Sequence, residues 1–142
     1  MKNSFFNRLF LFIPLMGGII FFTSLTEIKS QTKPAWIAPS SADAVSNPLK
    51  GMPDAAAAGK KIYGTYCVVC HGDKGKGNGI AAAGLNPKPA DHSSEKFQSQ
   101  SDGAIFWKMT TGRAPMASYD KTLTATQRWQ VIDYIRTLKA VK

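Results

Sequence analysis

The stretch Cys67-Val68-Val69-Cys70-His71 decides how this 142-residue chain is read, and its two cysteines are the only ones in the sequence. Thiols three positions apart can each add across one vinyl group of a haem, and the histidine that follows is placed to bind the iron this attachment brings close. The pattern is that of a c-type haem attachment site, with Cys67 and Cys70 as thioether residues and His71 as axial ligand. Two other chemistries use the same residue types. A thioredoxin-type pair follows a strand in an α/β pattern, whereas here a helical pattern leads into the cysteines. A zinc site could count Cys67, Cys70, His71 and His92, but His71 adjoins Cys70 and would crowd three ligands onto one side.

Upstream of the motif, Asp54 is placed to cap a helix from Ala55 to about Tyr66, with Ile62, Tyr63 and Tyr66 on its apolar side. Gly59 interrupts it at a cost of about 1 kcal/mol relative to alanine, which marks a close approach by another element. Downstream, Gly72, Gly75, Gly77 and Gly79 alternate with Lys74 and Lys76. No Ser or Thr follows a Gly-Lys pair, so this is no phosphate cradle, and a flexible surface loop is expected. A short turn at Ala81 to Ala83 and an extended run through Pro87 and Pro89 come next. Ser101 or Asp102 caps a second helix, Gly103 to about Thr111, ended by Gly112. Thr124 and Gln127 form a capping-box pattern opening a last helix to about Lys139, on which Trp129, Ile132, Ile135 and Leu138 share a face. Strand signals are weak. The expected fold is all-α: three or four helices around one covalently bound haem, with long loops between them.

The N-terminus reads as export. Lys2 and Arg8 precede an uncharged apolar run over residues 9–25, so residues 1–30 form a signal peptide or an N-terminal membrane anchor. Either way the rest of the chain crosses the membrane and reaches the periplasm. Residues 31–53, rich in Pro, Ser and Ala, read as a linker in which Trp36 and Ile37 are the exceptions. The domain proper is expected at residues 54–142. The formal charge of +9 fits an acidic redox partner or an anionic membrane surface. The lysines are scattered and carry no nucleic-acid-binding motif, so nucleic acid is not an expected partner.

The attachment motif near the end of the first helix, the Gly112-Arg113-Ala114-Pro115-Met116 loop and a C-terminal amphipathic helix containing Tyr134 together resemble a class I mono-haem cytochrome c. The resemblance covers Asp54 to Lys139. It implies that the first and last helices cross beside the haem, with Gly59 and Tyr63 meeting Tyr134 or Ile135. It implies His71 as proximal ligand, its second ring nitrogen held by a backbone carbonyl for which Pro87 is the nearest match. For the sixth ligand it points to Met116, just after a proline in a loop between helices; His92 and Met109 are the rivals. Arg113 can neutralise a haem propionate or simply face solvent.

These readings make the chain a one-electron carrier with no catalytic turnover of its own and no small-molecule substrate, since no acid/base pair or activated nucleophile is legible. Lys74, Lys76 and Lys88 are candidate docking charges. Two alternatives stand beside it: the electron-transfer cytochrome subunit of a membrane-associated dehydrogenase or reductase, and a haem-based gas sensor, which would need a weak or missing sixth ligand.

Overall fold

The computed structural model describes residues 34–140. The signal peptide or membrane anchor expected at residues 1–30 lies outside them; among the described residues, no helix is long and apolar enough to cross a membrane. Three long helices carry the domain, α2 (Pro53–Tyr66), α5 (Asp102–Thr111) and α6 (Ala125–Thr137). Three single-turn helices, α1 (Ser40–Asp43), α3 (Val68–His71) and α4 (Glu95–Gln98), and a 3-10 turn at Ala82–Gly84 complete the described elements. The all-α expectation holds.

Local chemistry explains most helix ends. The Ser101 hydroxyl accepts from Ala104 N at 3.0 Å, and Gly112 closes α5 at φ +65°. At α6 the capping box is complete: Thr124 Oγ1 accepts from Gln127 N at 3.2 Å while Gln127 Oε1 accepts from Thr124 N at 2.8 Å. Asp54 does not cap α2. Pro53, whose fixed φ suits a first helical position, begins the helix two residues earlier than expected, and Asp54 falls in the first turn near the positive end of the dipole.

Gly59 is where α2 meets α6. A Cβ there would lie 1.8 Å from the Gln130 carbonyl oxygen and 3.0 Å from Val131 N, so the two backbones touch where only hydrogen fits. One turn on, Tyr63 packs edge-on against Tyr134 with ring centroids 5.1 Å apart. The buried cluster around this crossing comprises Tyr63, Cys67, Ile105, Met109, Trp129, Val131, Ile132 and Ile135. Phe106 stacks on Trp129 at 4.0 Å, tying α5 to α6. The buried Arg128 donates from Nη1 to the carbonyls of Leu123 at 2.9 Å and Tyr119 at 3.2 Å, which pins the chain entering α6.

Residues 34–52, expected as an extended linker, are instead bonded to the domain. Asn47 Nδ2 donates to Asp133 Oδ1 at 2.8 Å and Asp102 Oδ2 at 3.3 Å, joining this segment to α6 and α5 at once. The Ser101 hydroxyl donates to Asp43 at 2.6 Å, and Ala42 is buried. Trp36 lies against Trp107 with centroids 6.4 Å apart, whereas Ile37 stays exposed. Asp133 is the strained member of this set: its Oδ2 is buried and finds no partner among the described residues. Burial raises its pKa, the Asn47 bond opposes that, and Asp102 adds repulsion.

A raised carboxyl pKa means that the folded state binds the proton more tightly, so stability is fullest below the unfolded value of about 3.9 and falls as pH rises through the folded pKa. Asp133→Asn should therefore raise the denaturation midpoint at pH 7 by a few degrees at most and leave it unchanged near pH 3. Thermal melts of the haem-loaded protein at both pH values check this; equal gains at both would show that charge is not the cause.

Candidate functional site

The main chain turns at the attachment motif. Cys67 follows the last residue of α2, and α3 carries Cys70 and His71. Cys67 is buried and Cys70 half-buried. Burial, with Cys70 adding to it, pushes the Cys67 thiol up to about 12. That is the reverse of the electropositive environment a reactive redox thiolate needs. The Cys67 thiol is thus poorly suited to thiol–disulfide exchange.

His71 Nδ1 lies 3.0 Å from the Ala90 carbonyl oxygen. A carbonyl only accepts, so Nδ1 carries the proton and Nε2 is left with its lone pair bare. Burial holds the ring below its usual pKa, outweighing the Ala90 bond, which favours the protonated form. A neutral imidazole with Nε2 free, one residue from a thiol, is the donor set that a covalently attached haem requires. The residues present fit that group.

The carbonyl partner is Ala90, not Pro87. The glycine-rich chain after His71 folds back through Gly77 N to the His71 carbonyl at 2.9 Å and Gly79 N to the Cys70 carbonyl at 3.1 Å, and it returns at residue 90. Pro87 is exposed. The same bonds revise the expectation of a flexible loop. A Cβ on Gly79 would come within 2.4 Å of the Val69 carbonyl oxygen, so glycine serves close packing here.

His92, expected in a solvated loop, is buried. Its ring stacks on His71 with centroids 4.0 Å apart and planes 20° apart. Two axial ligands of one iron point their donor nitrogens at each other from opposite faces of the haem. Rings stacked side by side do not, which removes His92 as the partner ligand of His71.

Met116 sits half-buried in the loop after α5, packed against the cluster that contains Cys67. Its backbone pairs with Arg113 in both directions at 2.9 Å, making a tight hairpin with Pro115 at the tip. Tyr119 N returns to the Met109 carbonyl at 2.9 Å. The Tyr119 hydroxyl donates to the Tyr66 carbonyl at 3.0 Å, so this loop borders the attachment segment; burial, with Cys67 and Cys70 adding to it, pushes that hydroxyl up to about 12. Met109 is buried in the core and Met52 is exposed before α2. Arg113 donates to the Pro34 carbonyl at 2.7 Å. The candidate docking lysines Lys74, Lys76 and Lys88 are all exposed; Lys76 donates to the Ser93 hydroxyl at 2.6 Å and Lys88 to the carbonyls of Ala82 and Ala83 at 3.0 and 2.7 Å.

A small all-α domain with two thiols and a ligand-ready imidazole at one turn defines the class of c-type haem proteins. The cytochrome c family model matches residues 56–139, and the chain belongs to the cytochrome c family. It is 36% identical over 73 residues to the quinohemoprotein alcohol dehydrogenase ADH IIB of Pseudomonas putida, a match covering 49% of this chain and 10% of that protein. A chain of the reducing HAO-like protein complex of Kuenenia stuttgartiensis is 32% identical with a TM-score of 0.60, over 68% of this chain and 50% of the other. The KustC0563 c-type cytochrome superposes with a TM-score of 0.51 at 24% identity, over 58% of this chain and 98% of the other, a likeness of fold alone. The chain therefore spans about a tenth of the curated relative and half of the first structural one. Family membership implies covalently bound haem c and electron transfer as the chemistry of this domain.

Proposed function

We propose that this chain carries single electrons on one haem c, with His71 and Met116 as axial ligands, in the periplasm or tethered to the outer face of the inner membrane through residues 9–25. The observation that carries this reading is the Ala90 carbonyl holding His71 Nδ1 at 3.0 Å, which fixes the bare Nε2 next to the thiols. When bound, the haem supplies the one-electron chemistry. The protein's share is to attach it at Cys67 and Cys70, orient His71, present the Met116 thioether and exclude water with the Tyr63, Met109 and Trp129 cluster. A thioether opposite an imidazole favours the reduced state relative to two imidazoles, which suits a carrier.

Val69, Ile80 and Tyr66 are exposed apolar side chains on or near the attachment segment, and Val69 and Ile80 share a shallow surface depression with Lys74, Lys76 and Asp73. An acidic partner surface with an apolar centre fits that composition. A second reading is favoured by the relatives. One is a quinohemoprotein dehydrogenase and another belongs to a redox complex, so this domain also suits the role of an electron-accepting subunit.

Export of the full chain followed by purification tests the reading. The oxidised protein should show the near-infrared methionine-to-iron band, and mass should show one added haem; a bare chain or an absent band would sink it. Reduction by an acidic partner protein should also slow several-fold as ionic strength rises from 0.01 to 0.15 M, where the screening length falls from about 30 to about 8 Å. A rate indifferent to salt would remove the charged docking surface.

A further inference from the structure

The site contains a second histidine that haem attachment does not use. His92 is held from every side. Its backbone N donates to the Gly75 carbonyl at 2.7 Å, and its own carbonyl accepts from Gln98 Nε2 at 2.7 Å. Its ring lies between His71, stacked at 4.0 Å, and Phe97, tilted with centroids 4.5 Å apart. Its Nδ1 is 3.3 Å from the Tyr63 hydroxyl, which also lies 3.2 Å from the Gly72 carbonyl. Gly72 can only accept, so the Tyr63 hydroxyl donates there and His92 Nδ1–H donates to the phenol oxygen. Tyr63 is in turn fixed by Tyr134 at the α2–α6 crossing.

The Ala90 bond aims one nitrogen of His71 but touches only the edge of its ring. A single hydrogen bond leaves the ring free to rock about the line from Nδ1 to its acceptor, and a flat surface against one face restricts that rocking. We infer that His92 is a positioning residue: the Tyr63–His92 pair forms a rigid plate that sets the plane of the His71 imidazole and hence the orientation of its π-orbital over the haem. This rests on His71 being the proximal ligand.

The orientation of an axial imidazole is written into the hyperfine-shifted haem-methyl proton resonances of the oxidised protein, which a purely structural role would not reorder. In the holoprotein, His92→Leu, of similar bulk but without a flat face, should change the order of the four methyl resonances or narrow their spread. His92→Phe restores a plate and should return the pattern towards wild type. Tyr63→Phe removes one hydroxyl and should move it in the direction of His92→Leu by a smaller amount. The near-infrared methionine band should persist in all three, since the other side of the iron is untouched. An unchanged methyl pattern in His92→Leu would overturn the inference, as would a Phe variant no closer to wild type than the Leu variant. A wild-type protein with covalent haem but no shifted resonances from His71 would instead overturn the ligand assignment beneath it. Should His92→Leu fail to accumulate, the Tyr63→Phe spectrum decides alone, an unmoved pattern counting against the plate.

Discussion

Gly59→Ala should destabilise the haem-loaded protein by about 3 kcal/mol or more, at the upper end of the usual range of about 1–3 kcal/mol for overpacking. The added methyl would sit 1.8 Å from the Gln130 carbonyl oxygen, and that oxygen belongs to the backbone of α6, so no side chain can rotate away. Relief requires α2 and α6 to part, which loosens Tyr63, Val131, Ile132 and Ile135 together. The gain in helix propensity, about 1 kcal/mol, offsets only part of this. For a domain of this size the midpoint should fall by roughly 10–20 °C. Gly64→Ala is the matched control, because nothing lies within 4 Å of a Cβ at that position in the same helix. It should be neutral or stabilise by up to about 1 kcal/mol. Thermal melts of the pair must therefore diverge in sign; a Gly59→Ala protein as stable as wild type would mean that the two helices do not touch there in solution.

Met116→Ala should have the largest effect on function. Loss of the thioether should abolish the near-infrared band and lower the potential by on the order of 0.1–0.3 V, a fraction of the roughly 0.8 V that axial-ligand choice commands. The ferrous variant should also bind carbon monoxide, which the wild type should resist. The fold should survive, because Met116 is half-buried and its hairpin is held by the backbone bonds to Arg113 and by Tyr119 N on Met109. Potentiometry and spectra taken with and without carbon monoxide check all three. If the band persisted, another donor would have to supply the sixth bond, and its first candidate would be Met109, since His92 is stacked on the proximal side. Ready carbon monoxide binding by the wild type would bring back the gas-sensor reading.

What the sequence made legible is what local chemistry decides. Ser101, Thr124 and Gln127 announce helix starts because their side chains bond to backbone three residues away. Gly59 announces a contact because a helix tolerates it poorly without one. The attachment motif is covalent chemistry compressed into five residues. The unreadable parts depend on distant partners. Ala90 acts through its backbone carbonyl, which leaves no mark in side-chain identity, and a proline motif drew attention to Pro87 instead. His92 looks like a solvated loop residue until residues 63, 71 and 97 converge on it, and no periodicity links those positions. Residues 34–52 have a linker's composition. Asn47 nevertheless finds acceptors 55 and 86 positions away, on two different helices.

On the proposed tethering through residues 9–25, that docked segment has a geometric consequence. Fully extended, residues 34–52 would reach roughly 60–70 Å, at about 3.3–3.6 Å per residue. Bonded along α5 and α6, they add almost none of that length to the leash. A shorter leash confines the domain to a thinner shell above its anchor and raises its local concentration for partners fixed at the same surface. Cutting Asn47 free of Asp102 and Asp133 would lengthen it, exchanging fast delivery to neighbours for a wider search.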